Sequence, residues 1–156
     1  LLVEQLKDLY DDEQQIIQAL PKMADAASTP QLKEAFRTHA EQSKRQKERL
    51  EEVFRRLNMQ PQSSTDAGIR GIIEEGSILM NARGDAKVKD AALIASAQRV
   101  EHYEMAGYGA ARSFASHLGM SDVADLLQRT LEEEGDTDKK LTHLALSDVD
   151  RWAAEA

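Results

Sequence analysis

The stretch AQRVEHYEMAGYGA, residues 97–110, combines the small residues of a tightly packed helix with two acidic side chains. Glu104 is seven residues from both Ala97 and Ala111, so on a helix it lies at the centre of the apolar stripe. Glu101 lies one turn earlier, towards the edge of that stripe. Because apolar side chains are the usual occupants of such central positions, a carboxylate there indicates a buried polar site inside a helical protein.

The composition of the chain limits the classes of function. Of 156 residues, 28 are acidic and 20 are basic, and the formal net charge is −8. This charge favours a cation as a partner, since nucleic-acid binders usually carry a basic patch, and we expect no nucleic-acid binding. The chain has no cysteine, which excludes disulfides, thiolate metal sites and cysteine nucleophiles. No apolar run is long enough to span a membrane, so we expect a cytoplasmic protein without membrane attachment.

Apolar residues recur at three- and four-residue steps on both sides of the opening stretch and predict four long helices. The first and second helices are separated by residues 28–30, and Ser28 or Thr29 is expected to cap the second. The third helix is expected to stop at Gly119, with Ser121 as the N-cap of the fourth. The two short turns predict two antiparallel helical hairpins.

A long connection joins the two hairpins. The second helix runs to about Leu57 and the third begins near Lys87, which leaves residues 58–86 between them. Apolar residues at 69–80 have helical spacing and predict a short amphipathic helix on the outside of the bundle. The fold class is therefore all-α: a ferritin-like four-helix bundle whose long crossover carries a short fifth helix, in a single domain over 1–156.

Two further helices carry a glutamate at the centre of the apolar stripe. Glu13 in the first helix and Glu134 in the fourth each have leucines seven residues before and after them. Each of these two, like Glu104, is about fifteen residues from the turn of its own hairpin, or roughly 23 Å along the helix. We therefore expect Glu13, Glu104 and Glu134 to share one layer at mid-bundle.

Carboxylates in one buried layer repel each other and lose their hydration, so either shared protons or a bound cation must stabilise them. Glu101 and Asp138 each lie one turn from a central glutamate and offer further oxygen ligands. No lysine or arginine is expected on the same surfaces. Because oxygen-rich bundle sites suit iron, manganese or other hard divalent ions, the sequence predicts a metal site at Glu13, Glu104 and Glu134, with Glu101 and Asp138 supplementary.

The second helix contributes no central glutamate. Its centred polar residues are His39, Ser43 and Gln46, with Gln42 at the edge of the stripe. His39 is about one turn from the glutamate layer, which leaves two interpretations open: a metal ligand, or a histidine whose nitrogens are satisfied in the core. The ligand from this helix is therefore His39, Gln42, Gln46 or none.

Two tyrosines, Tyr10 and Tyr108, are expected near the carboxylate layer. Each is either a hydrogen-bond partner of a ligand carboxylate or a core tyrosine with a satisfied hydroxyl. The glycines at positions 107 and 109 lie within a helical pattern and are expected to allow close helix packing.

The sequences VEHYEMAGYG, LLQRTLEEEGDTDKKLTHLA and LYDDEQQIIQALPKMA resemble the YciF/YciE-type bacterial stress proteins of the ferritin-like superfamily. The resemblance covers nearly the whole chain and implies a cytoplasmic, often dimeric ferritin-like bundle with a di-iron-type site. The wider superfamily takes a Glu-x-x-His motif from its second helix, but Ser43 and Gln46 stand near those positions here. In the fourth helix Thr137 replaces the corresponding histidine.

We expect from the residues and the resemblance a stress-response protein that binds one or two metal ions, iron foremost, at mid-bundle. The chemistry expected of such a site is oxidation of Fe(II) by oxygen or peroxide, and the resemblance implies a homodimer. The alternative is a structural or interaction bundle that has lost its metal site, which the altered second helix favours. The residues leave open whether the protein is an enzyme.

Overall fold

The computed structural model describes residues 1–149, and over this range the chain is helical without any strand. Five α-helices follow one another along the chain, and a single π-helical turn continues the last of them. Their bounds are α1 Leu2–Ala26, α2 Pro30–Arg56, α3 Ala67–Asn81, α4 Ala86–His117 and α5 Ser121–Leu144, with the π-helical turn at Ala145–Val149. The four predicted long helices and the predicted short helix of the crossover are confirmed.

The long helices form two hairpins that pack against each other. Helix α1 packs on α2 and helix α4 on α5, while α1 also contacts α4 and α2 contacts α5. Helix α3, which lies within the crossover, packs on α4 and α1. Gly119 has a φ of 72° and follows the C-cap residue of α4, where it stops the helix as predicted, because glycine adopts this left-handed conformation without steric cost.

The helix starts differ in part from the predicted caps. Thr29 occupies the N-cap position of α2, but its hydroxyl makes no capping bond and donates instead to Asp90 of α4. Ser121 is the first residue of α5 and not its N-cap; Met120 precedes the helix, and no side chain caps it. Thr29 is therefore the N-cap residue as predicted, although its hydroxyl bonds to Asp90 and not to a local N–H group, whereas the prediction of Ser121 as an N-cap is wrong because α5 already includes it.

The apolar core is divided into two halves along the bundle axis. One half lies at the α1–α2 turn and includes Ile16, Leu20, Phe36, Leu93 and Leu141. The other half lies at the α4–α5 turn and includes Leu6, Leu9, Leu50, Phe54 and Leu127. On every long helix the change from one half to the other occurs where the sequence is polar, so a belt of buried polar residues crosses the centre of the bundle.

Helices α1 and α4 approach closely next to this belt. A Cβ atom placed on Gly107 would lie 2.9 Å from Leu9 Cδ2, so only glycine allows this packing without movement of the leucine. The predicted role of the glycine at position 107 is thereby supported, whereas Gly109 faces open space. Among the described residues, no helix is both long and apolar enough to cross a membrane.

Candidate metal centre

Each long helix places at least one polar side chain in the central belt. Helix α1 contributes Glu13, α2 contributes His39, α4 contributes Glu101 and Glu104, and α5 contributes Glu134. All five side chains are buried; His39, at 4%, is the most exposed of them. The burial of Glu13, Glu104 and Glu134 confirms the prediction that they point into the interior. The residues seven positions before and after each of them lie on the same helix face and are also buried.

Four of these residues form a compact group. His39, Glu101, Glu104 and Glu134 each offer one ligand atom, and these atoms all lie within 4.8 Å of one another. His39 Nε2 is 3.1 Å from Glu101 Oε1. The spacing matches what one metal ion between three helices requires, and histidine nitrogen with carboxylate oxygen is a donor set that suits iron, manganese and zinc.

Most polar atoms of this group have no hydrogen-bond partner among the described residues. Neither oxygen of Glu104 accepts a hydrogen bond, nor do Glu101 Oε2 and Glu134 Oε2; His39 Nδ1 has no partner, and His39 Nε2 has only the 3.1 Å contact with Glu101 Oε1. Gln46 Nε2 donates to Glu134 Oε1 and is the one side chain of α2 that satisfies a carboxylate of the group. A buried polar group without a partner costs about 1 to 3 kcal/mol, so the residues present fit a bound cation better than an empty packed layer.

Glu13 lies beside the compact group but is not one of its four members. It is fully buried, and the Tyr108 hydroxyl donates to Glu13 Oε1 at 2.6 Å. Of the two interpretations that the sequence left open for Tyr108, the structure therefore supports a hydrogen-bond partner of a predicted ligand carboxylate. Tyr10 lies away from the layer, contrary to expectation: its hydroxyl donates to Glu51 at 2.9 Å near the protein surface.

Asp138 is not brought into the compact group. It is partly exposed at the edge of the α4–α5 contact, where Gln98 Nε2 donates to it at 2.9 Å and His102 Nε2 lies 3.3 Å away. Its helical position one turn from Glu134 turns its side chain towards α4 and solvent. The structure therefore pairs Asp138 with surface side chains, while its predicted companion Glu101 is inside the group.

The protonation of the belt follows from its burial. Burial raises the pKa of Glu13, Glu104 and Glu134 well above the usual range of a carboxyl, and the repulsion among the carboxylates raises it further. Burial likewise raises the pKa of Glu101 to about 7 and lowers the pKa of His39. Without a metal, Glu13, Glu104 and Glu134 are therefore protonated at neutral pH, His39 is neutral and Glu101 is partly protonated, and the belt can exchange those protons for a cation.

Sequence reasoning missed two charged residues beside the belt. The prediction that no arginine shares these surfaces is wrong for Arg49, which donates to both oxygens of Glu133 at 2.9 Å and to Thr130 at 2.6 Å. Its position three residues after Gln46 on α2 is the spacing signal that could have revealed it. Asp12, next to Glu13, is also buried, and burial together with nearby Asp66 raises its pKa to about 9.

A bundle of two helical hairpins with a helix-bearing crossover and a carboxylate-rich belt at its centre defines a ferritin-like helical protein. The chain belongs to the family described as "Domain of unknown function (DUF892)", which it matches over residues 1–154.

Two relatives, one of them matched both in sequence and in structure, agree with this assignment over most of their length. Protein YciF of Escherichia coli K12 is 40% identical over 154 residues, covering 98% of this chain and 93% of its own. The crystal structure of the E. coli stress protein YciF superposes with a TM-score of 0.92 at 41% identity, covering 96% of this chain and 94% of that one. YcfI, described as a putative structural protein from Rhodopseudomonas palustris, has a TM-score of 0.88 at 39% identity and covers 90% of both chains. The chain is thus a relative of the YciF-type stress proteins, as its sequence indicated.

Proposed function

We propose that the protein binds one or two metal ions at the central belt, with iron as the principal ion, and that it serves a stress response through this site. The observation that carries the proposal is the set of orphaned atoms on His39, Glu101, Glu104 and Glu134, whose ligand atoms lie within 4.8 Å of one another. Their burial from solvent leaves a cation as the natural partner for groups that otherwise keep protons.

The ligands of the first ion would be Glu101, Glu104, Glu134 and His39, with Glu13 available as a bridging or second-ion ligand. Iron bound there would supply one-electron exchange with oxygen or peroxide. The buried carboxyl groups would release protons as the ion binds, and their negative charges would then neutralise it. The two apolar halves of the core lie on either side of the site. Tyr108 holds Glu13 in place through its 2.6 Å hydrogen bond.

A second candidate function is that of a structural or interaction bundle without a working metal site. It is favoured by α2, where Ser43 and Gln46 occupy the region of the superfamily's Glu-x-x-His motif and Gln46 satisfies Glu134 without any ion. The description of the R. palustris relative as a putative structural protein points in the same direction. In this case the protonated carboxyls are the resting state of the belt.

The metal content of the purified protein distinguishes the two functions. The protein is incubated anaerobically with Fe(II), desalted and assayed for iron by mass spectrometry, alongside the variants Glu104→Gln and Glu132→Gln. Glu132 is exposed on α5 and serves as the charge-matched control. Retention of iron by the parent protein and the control, with loss in Glu104→Gln, supports the metal site; equal background iron in all three supports the structural function.

A further inference from the structure

A cleft of about 470 Å³ opens to solvent between α2 and α5 and reaches the proposed metal centre. His39 and Glu101 line its buried end, and their side chains are 4% and 1% exposed. Sites for small molecules in proteins measure about 300 to 1,000 Å³, so the cleft has the volume of a ligand site. It connects the compact group of buried ligand atoms with the outside of the bundle.

The walls of the cleft are mainly apolar. Phe36 and Ala35 of α2 face Leu141 and Leu144 of α5 across it. A metal ion or hydrogen peroxide gains nothing from carbon walls, and dioxygen is too small to need a cleft of this volume. The walls instead suit an organic molecule with an apolar body, which gains roughly 25 cal/mol for each Å² that it removes from water.

The charges along the cleft select a neutral ligand. Lys139, Lys140 and His143 stand on the α5 side of the mouth. These lysines disfavour a cationic ligand, while an anionic group would lose its hydration at the buried end of the cleft. Glu34 on the opposite rim is exposed and lies away from the buried end.

The buried end offers hydrogen bonds that nothing else in the described chain uses. His39 Nδ1 and Glu101 Oε2 have no partner among the described residues, while His39 Nε2 lies 3.1 Å from Glu101 Oε1. A hydroxyl-type group both donates and accepts one hydrogen bond, so it matches this pair without introducing charge. An alkane would leave these atoms orphaned.

We propose that the cleft between α2 and α5 is the binding site for the organic substrate of the metal centre, a small neutral molecule with an apolar body and a terminal hydroxyl-type group. The apolar body lies against Phe36, Leu141 and Leu144, and the hydroxyl-type group reaches His39 Nδ1 and Glu101 Oε2, which leaves one atom of each residue for the ion. The role as a substrate site rests on the proposed function, whereas the binding itself is a property of the metal-free chain.

The test uses metal-free protein and 1-hexanol as the probe, with ring-proton NMR of the histidines as the readout. The chain has four histidines. His39 and His143 line the cleft, whereas His117 is exposed at the end of α4 and does not. We expect saturable shifts of the His39 and His143 signals with 1-hexanol, none for His117, and binding of hexanoate weaker by about tenfold or more.

Variants that fill the cleft with a large side chain provide the second test of the proposal. Ala35→Trp and Thr38→Trp place an indole on two cleft-lining positions of α2, and Ala106→Trp on exposed α4 is the matched control. Each variant is first checked for native helix content. We expect both cleft variants to weaken 1-hexanol binding by about tenfold or more and the control to leave it unchanged.

Three outcomes overturn the inference: no saturable shift of His39, equal binding of hexanoate, or unchanged binding in both folded cleft variants. Conversion of a dimer into a monomer by Ala35→Trp, measured by sedimentation, also overturns it, because the cleft is then an interface between copies of the chain. Iron retention without 1-hexanol binding removes only this inference. Binding of 1-hexanol without iron retention removes the proposed function and the substrate role of the cleft, and leaves the binding site itself.

Discussion

Glu104 carries a carboxyl group that is buried in the core without a hydrogen-bond partner among the described residues. Its two oxygens are buried and accept no hydrogen bond from the described part of the chain, and its closest electrostatic neighbours are Glu13, Glu134 and Glu101. Burial and these carboxylates raise its pKa well above the usual range. In the metal-free protein, Glu104 therefore takes up a proton on folding at neutral pH, which lowers stability as the pH rises.

Replacing Glu104 by glutamine separates stability from function. Glutamine is nearly isosteric and needs no proton, so we expect Glu104→Gln to raise the free energy of unfolding of the metal-free protein by about 1 to 3 kcal/mol at pH 7.5. Urea unfolding followed by circular dichroism measures the change. Glu132→Gln, on the exposed side of α5, should stay within about 0.5 kcal/mol of the parent. A clear loss of stability in Glu104→Gln would show that the carboxyl makes a stabilising contact without metal.

Tyr108 provides a second prediction at this scale. Its hydroxyl is fully buried and donates to Glu13, so Tyr108→Phe leaves that carboxyl oxygen without a partner and should lower the free energy of unfolding by about 1 to 2 kcal/mol. Tyr10→Phe is the control, because Lys47 still contacts Glu51 at 2.9 Å when the Tyr10 hydroxyl is removed. Equal losses in the two variants, measured by urea unfolding, would contradict a special role for the Tyr108 contact.

At the scale of helices, Asp90 joins the two hairpins. This buried carboxylate of α4 accepts hydrogen bonds from the backbone N–H groups of Ser28 and Thr29, at 2.8 and 2.7 Å, and from both hydroxyls. Burial alone would raise the pKa of Asp90, but these bonds hold it below the usual value. Asp90 thus satisfies the free N–H groups at the start of α2 from a different helix.

The contribution of this contact is measurable. We expect Asp90→Ala to lower the free energy of unfolding by about 2 to 4 kcal/mol, because several buried donors lose their acceptor together. Asp85→Ala is the comparison: Asp85 caps its own helix by accepting from Lys87 and Val88 N–H, and its removal should cost only about 1 kcal/mol. A loss no larger for Asp90→Ala than for Asp85→Ala would contradict the role of Asp90 as a link between hairpins.

The sequence predicted elements better than contacts between them. Helix periodicity is local, so the five helices and the central position of the glutamates could be read from spacing alone. The contact of His39 with Glu101, the outward turn of Asp138 and the approach of Arg49 depend on the rotation of one helix against another. The spacing of residues within one helix carries no information about that rotation. For the same reason, the Ser28 and Thr29 hydroxyls were assigned to a local cap, although Asp90, about sixty residues later, receives them.

At the scale of the whole molecule, the protonation state of the buried belt links the stability of the fold to the binding of metal. The pKa of Glu101 is 4.5 in the unfolded chain, and burial raises it to about 7 in the folded protein. The folded state therefore binds more protons than the unfolded state between these values, and the stabilising difference, fully present below pH 4.5, is lost as the pH rises towards 7. Glu13, Glu104 and Glu134 extend this loss to higher pH because their pKa values are raised in the same direction.

This coupling predicts opposite pH trends with and without metal. The melting temperature of the metal-free protein should fall as the pH rises from 5 to 8, whereas the stabilisation produced by Fe(II) or Mn(II) should grow over the same range, because the metal displaces protons. Differential scanning calorimetry, with and without Mn(II), measures both trends. A metal-induced stabilisation that does not depend on pH would place the ion at groups other than the buried carboxyls.

The most direct test of the central claim is an anomalous difference map at the iron absorption edge from crystals of iron-loaded protein. The account predicts a peak bounded by His39, Glu101, Glu104 and Glu134, absent from crystals of Glu104→Gln grown and loaded identically. No peak among these side chains, or a peak of unchanged height in the variant, would contradict the claim that the buried belt binds metal.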